Sequence, residues 1–196
     1  MKEELRQRLR RILATLTPEE IQRRSATACG LLVAQPEYHR AEILMVYLSM
    51  ATEMDTTPLV LRAWEDRKRV VAPKVSWNER RMLPIEIRSL TADVGTSEMG
   101  IREPVAGQPI PVADIDLVVV PGLGFDPLGN RLGRGRGFFD RFLALDDCHA
   151  TSCGLAFEVQ VVDSVPTGPF DVQMAMLVTD QRVRRFGTSS PHSLSR

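Results

Sequence analysis

Residues 130–140 read NRLGRGRGFFD, in which Gly133, Gly135 and Gly137 alternate with Arg134 and Arg136. Glycine at every second position lets main-chain N–H groups come close to an anion, and the intervening guanidinium groups add charge and forked donors. This is the chemistry of a phosphate cradle. A helix expected from Phe138 onward adds free N–H groups and the positive end of its dipole. The spacing matches neither the G-x-x-x-x-G-K-[ST] phosphate loop nor the G-x-G-x-x-G dinucleotide turn. A glycine turn with solvated arginines is the plainer alternative. An RG-type RNA contact is a third, disfavoured because the run is short and no basic tail accompanies it.

Asp140 falls in the first turn of that helix, where a carboxylate suits the dipole whether or not it does chemistry. Its chemical reading is a magnesium ligand. Magnesium takes one or two protein carboxylates while phosphate oxygens fill other positions, and Asp171, near the last strand-like run, is the candidate partner. Cys148, His149 and Cys153 lie close together in sequence, but their spacing fits no zinc pattern and a fourth ligand is missing. The cysteines, with Cys29, are odd in number and contain no C-x-x-C pair, which argues against a disulfide framework and for reduced thiols. His39, His149 and His192 have no identifiable partners.

These groups need elements to hold them. Leu5, Leu9, Ile12, Leu13 and Leu16 recur at spacings of three and four, predicting an amphipathic helix over 2–16 with a basic opposite face. Thr17-Pro18-Glu19-Glu20 predicts the start of a second helix, capped by Thr17 and boxed by Glu20, running to about 33. Strands are expected over 43–48, 70–72, 116–120, 153–157 and 176–179, and helices over 57–66 and 138–145. Residues 76–113 hold Pro84, Gly95, Gly100, Pro104, Gly107, Pro109 and Pro111, and read as a hairpin with loops that can wall a cleft. The alternation implies an α/β fold with a mostly parallel sheet flanked by helices. The glycine-rich loop then lies between a strand and a helix, where open α/β sheets bind ligands.

The chain has 196 residues, zero formal charge and 43% hydrophobic residues. That length suits a single domain, placed at 1–186, and 187–196 reads as a disordered tail. Neutral charge disfavours a general polyanion-binding surface, so no nucleic-acid partner is expected. The charged opening MKEELRQRLRR lacks the apolar stretch of a secretory signal, and no segment approaches a membrane span, so a cytoplasmic location without membrane contact is expected.

The stretch PGLGFDPLGNRLGRGRGFFDRFLA closely resembles the signature of the 5-formyltetrahydrofolate cyclo-ligase (methenyltetrahydrofolate synthetase) family. Lys2-Glu-Glu-Leu-Arg6, Tyr47-Leu-Ser49 with Glu53, Gly100-Ile-Arg-Glu103-Pro104, Gln160, Val165-Pro166 and Asp171 follow in the family's order. The resemblance implies a three-layer α/β fold akin to sugar-phosphate isomerases and coenzyme A transferases. It also implies Mg-ATP-dependent ring closure of 5-formyltetrahydrofolate, with ATP and reduced folate as partners of a monomer or weak homodimer.

By the same resemblance, Lys2, Arg6, Arg131, Gly133, Arg134, Gly135, Arg136, Gly137, Phe138 and Phe139 would hold ATP. Leu48, Glu53, Arg134 and Phe138 would border the folate, Arg134 and Arg136 would act on the transferred phosphoryl group, and Asp140 and Asp171 would hold Mg2+. The sequence departs from the family at several points. Phenylalanine stands at 138 and 139 where tyrosine is common, and Arg136 replaces Lys or Gly. Met99 stands where an aromatic residue is thought to cover the pterin, and Phe170 precedes Asp171 where His, Asn or Trp is usual.

Overall fold

Thr17 caps helix α2 (Pro18–Val33) as its sequence predicts: its hydroxyl accepts from the Glu20 N–H at 3.2 Å, and the Glu20 carboxylate accepts from the Thr17 N–H at 3.0 Å. The computed structural model describes residues 1–97 and 100–187; Met99, His192 and the expected tail from 188 on lie outside the described residues. Helix α1 (Lys2–Leu13) precedes α2 and ends one turn earlier than its apolar spacing suggests, at an Ala14 cap. Leu9 and Leu13 are buried. A short helix, α3 (Pro36–Arg40), follows α2 and buries Tyr38.

The central sheet grows from four buried runs, β1 (Ile43–Val46), β6 (Leu117–Val120), β9 (Thr151–Ala156) and β10 (Met176–Thr179), in which only Thr151 is partly exposed. With β2 (Arg69–Ser76), β3 (Arg81–Ile87) and β11 (Val183–Arg185), the seven strands take the order β11-β10-β9-β6-β1-β2-β3. The five inner strands are parallel and both edges antiparallel. Alternate residues build two cores. Leu44, Val46, Leu117 and Val119 face α1, α2 and α4 (Thr57–Glu65). Met45, Val118 and Val120 face α5 (Phe138–Leu143) through Phe142. This is the expected three-layer α/β arrangement.

Two features shape the binding side. The sheet changes direction at β1, which pairs with β2 on one side and β6 on the other; the carboxyl ends of β1 and β6 therefore flank a crevice. The chain leaving β1 is knitted into a rigid turn. The buried Tyr47 hydroxyl donates to the Met54 carbonyl at 3.0 Å, and the Thr56 hydroxyl donates to the Tyr47 carbonyl at 2.7 Å. Burial, reinforced by the charge of Glu53, raises the Tyr47 hydroxyl well above its usual range, so it stays a donor.

The structure corrects two expectations. The segment from 76 on holds a full strand, β3, paired with β2 from Val70↔Ile87 to Ser76↔Arg81. Pro84 does not break it, because it sits opposite Pro73 and its carbonyl accepts from the Ile110 N–H at 2.9 Å. Further along lies a small hairpin, β4 (Val94–Thr96) with β5 (Arg102–Pro104). Finally, the run at 130–140 is not one loop. Its first residues form β8 (Arg131–Leu132), paired with β7 (Gly124–Phe125), and its last residues open α5. The buried Asp126 ties the β7–β8 turn: its carboxylate accepts from the N–H groups of Leu128, Asn130 and Val165 and from the Asn130 side chain. Between β8 and α5 only residues 133–137 remain as loop.

Candidate active site

A cleft of about 390 Å³ opens at the ends of β1 and β6, within the range of small-molecule sites. The residues that the family resemblance gave a binding or metal role all line it: Lys2 and Arg6 from α1, Leu48 and Glu53 from the turn after β1, Arg131 and the residues from Gly133 through Asp140, and Asp171. The lining combines two chemistries. Lys2, Arg6, Arg131, Asp140 and Asp171 supply a polar, charged part. Pro73, Val75, Trp77 and Met82 from the β2–β3 hairpin supply an apolar part.

In the polar part, α1 delivers its cations for a reason visible in its spacing. Positions 2, 6, 9 and 13 follow the four-three-four rhythm of one helix face. Lys2 and Arg6 thus continue the buried Leu9–Leu13 stripe instead of belonging to the solvated basic face. The Lys2 ammonium donates to Asp171 Oδ2 at 2.5 Å, and Arg6 Nε donates to the Gly133 carbonyl at 3.0 Å. Arg131 is 4% exposed; its Nη2 donates to Asp140 Oδ2 at 2.8 Å and its Nη1 to the Pro121 carbonyl at 3.2 Å. Its Nε is buried and has no acceptor among the described residues.

The chain segments carrying the two aspartates come together, although 31 positions separate them. The N–H of Val172, the residue after Asp171, donates to Asp140 Oδ1 at 3.3 Å, so the chain carrying one aspartate is bound to the other. No group of three or more His, Cys, Asp or Glu side chains gathers at a metal-sized site among the described residues. A cation held here would therefore need ligand oxygens to complete its shell, which is the habit of magnesium beside phosphates.

Asp171 also sets a pH dependence. Burial would raise its carboxyl, but the Lys2 ammonium and the Gly168 N–H outweigh that and hold it below its ordinary 3.8. A carboxyl depressed in the folded state stabilises the fold above its unfolded pKa, and that contribution is lost as pH falls through the lower folded value. Asp171→Asn is thus expected to lower stability at pH 7 and to approach the parent protein as pH drops below about 4. Urea midpoints at matched pH read this, and a gap that widened in acid would contradict it.

The loop itself turns on Gly135 and Gly137, whose φ values of +105° and +66° exclude most side chains. Among the described residues, none of the main-chain N–H groups from Gly133 to Asp140 donates a hydrogen bond. A row of free amides ending at a helix start has the donors that an anion cradle requires. Arg134 Nε donates to Glu53 Oε1 at 2.9 Å, while Glu53 Oε2 accepts from the Met50 N–H at 3.0 Å. One carboxylate thereby joins the loop to the turn after β1.

Sequence reasoning missed two contributions. Gln160, placed only in the family's order, is buried and donates to the Gly122 and Leu123 carbonyls at 2.7 and 3.3 Å, setting the exit from β6. Trp77 was hidden in a segment read as irregular, and Pro73 and Val75 lay just past the strand expected over 70–72; their spacing of two was the available signal. Cys153 is a buried β9 residue and Cys148 is half-buried, as ordinary core and loop positions. No helix of the described residues is long and apolar enough to cross a membrane.

Residues 1–180 match the 5-formyltetrahydrofolate cyclo-ligase family. The chain is 30% identical over 183 residues to the 5-formyltetrahydrofolate cyclo-ligase of Escherichia coli K12, covering 91% of this chain and 98% of that protein. It is 28% identical over 184 residues to the Mus musculus protein of the same name, covering 89% of each. Among solved structures, the 5,10-methenyltetrahydrofolate synthetase of Aquifex aeolicus matches with a TM-score of 0.83 at 32% identity, over 98% of this chain and 97% of that one.

Proposed function

The chain belongs to the 5-formyltetrahydrofolate cyclo-ligase family, a family of ligases, and from that premise we propose that it uses ATP and magnesium to close 5-formyltetrahydrofolate into 5,10-methenyltetrahydrofolate. ADP and phosphate are the other products. The observation that carries this reading is one cleft lined both by a row of free amides with cations and by an apolar hairpin wall.

A formyl amide oxygen is a weak nucleophile, so the step needs alignment and charge neutralisation more than covalent help from the protein. The amides of 133–140, Lys2, Arg6 and the unpartnered Nε of Arg131 suit a triphosphate. Arg134, oriented by Glu53, is placed to neutralise charge on the transferred group. The formyl oxygen attacks the γ-phosphorus as ADP leaves. N10 then attacks the activated carbon and phosphate departs, leaving the five-membered ring. Asp140 and Asp171 would hold magnesium, which when bound neutralises phosphate oxygens.

The test is the absorbance of the methenyl product when purified protein meets 5-formyltetrahydrofolate, ATP and magnesium. Product is expected only with all three present. No signal, at protein levels where the Escherichia coli enzyme responds, would overturn the reading.

A further inference from the structure

The β2–β3 hairpin supplies the apolar wall by simple alternation. Pro73, Val75 and Trp77 share one strand face, Met82 pairs with Val75, and all four line the cleft. Trp77 begins the tip Trp77-Asn78-Glu79-Arg80, an otherwise polar turn where an indole serves no core. It is 37% exposed. It meets the Phe138 ring edge to face, with centroids 5.2 Å apart at 89°, and the Arg136 guanidinium lies 5.8 Å over it.

The tip is also fastened in place. Arg141 Nε donates to the Arg80 carbonyl at 2.8 Å and Arg141 Nη2 donates to the Arg136 carbonyl at 2.9 Å, while its guanidinium lies 5.2 Å over the Phe138 ring. Arg80 is left-handed, with φ of +52°, which helps aim that carbonyl. One side chain of α5 thus joins the hairpin tip, the glycine loop and the first aromatic residue of the helix.

We propose that Trp77 is a specificity-determining residue whose ring packs against the conjugated rings of the folate, and that Arg141 is the positioning residue holding it there. The proposal rests on the cyclo-ligase reading. Adenine also has an aromatic face, but the charge around Trp77 favours the folate. The Arg136 guanidinium makes no hydrogen bond among the described residues, and with Arg141 it leaves this mouth cationic. Folate brings glutamate carboxylates to that charge, while the triphosphate of ATP has the free amides of the glycine loop with Lys2, Arg6 and Arg131 to meet its own.

The chain has two tryptophans, so Trp64→Phe leaves Trp77 as sole reporter; Trp64 packs against the other core cluster. In that variant, 5-formyltetrahydrofolate without nucleotide is expected to quench emission saturably, after correction for folate absorbance, and ATP without folate is not. Trp77→Ala is expected to raise KM for folate roughly tenfold, the weight of one aromatic contact, with KM for ATP within about twofold and Trp77→Phe recovering most of the loss. Arg141→Ala should raise the folate KM in the same direction, with partial rescue by Arg141→Lys.

Turnover with no folate quenching, or a rise in KM for ATP instead, overturns the assignment of Trp77 and leaves the cyclo-ligase reading standing. Saturable folate quenching in a protein that makes no methenyl product keeps the Trp77 contact and removes the reaction. A lower melting temperature for Arg141→Ala with unchanged KM would reduce Arg141 to a structural residue.

Discussion

Arg134→Ala is expected to cut kcat by a factor of about 10²–10³ and to leave the protein folded. The two halves of that expectation have different causes. The Arg134 side chain is 38% exposed and its ion pair with Glu53 lies on a loop; pairs of this kind contribute about 0–1 kcal/mol, so unfolding should barely respond. In the reaction, the charge spreading over the transferred phosphoryl oxygens meets fewer oriented donors, and that loss falls on the transition state. Arg134→Lys keeps the charge without the fork and should lie between. Glu53→Gln keeps Arg134 but weakens its orientation, and should cost less than removing the arginine. Steady-state and single-turnover kinetics, with thermal denaturation as the control, read all three. Unchanged turnover in Arg134→Ala would take the residue out of the mechanism.

Arg131→Met should act through the fold. Its guanidinium is almost wholly buried and neutralises Asp140, which is 15% exposed. Removing the cation strands a largely desolvated carboxylate. For a fully buried pair the cost runs to several kcal/mol; the opening of Asp140 to the cleft lowers the expectation to about 2–4 kcal/mol. In a chain of this size that is a fall of roughly 5–15 °C in Tm. The double variant Arg131→Met/Asp140→Leu removes both charges and should regain most of the stability, because neither partner is left alone. It should not regain turnover, since Asp140 is assigned to magnesium. A double variant no more stable than the single one would show that the ion pair is not the source of the cost. One that kept turnover would remove Asp140 from the metal site.

Much of the scaffold was legible along the chain because local chemistry specifies it. The capping box at Thr17 and Glu20, the buried runs at 43–46, 117–120 and 176–179, and the helix after Gly137 each carry their signal within a few residues. The glycine-arginine alternation likewise marks an anion cradle, since conformational freedom and free amides belong to the residues themselves. The resemblance to the family added Lys2, Arg6 and Glu53, which composition would not have chosen.

The unread parts all depend on partners far away in sequence. Pro84 spoiled the strand reading of β3 because its tolerance comes from Pro73 opposite and Ile110 beside it. Arg131 looked like one more loop cation; a two-residue strand turns it inward onto Asp140. Trp77 counts as a wall only once the hairpin tip is fastened to α5 by Arg141. Residue types and short spacings were enough to specify helices, buried strands and a loop with free main-chain amides. Which carboxylate meets which cation, and which aromatic ring closes the cleft, followed from sheet order and register. Those are set by burying two whole sheet faces at once, a constraint that no short segment carries.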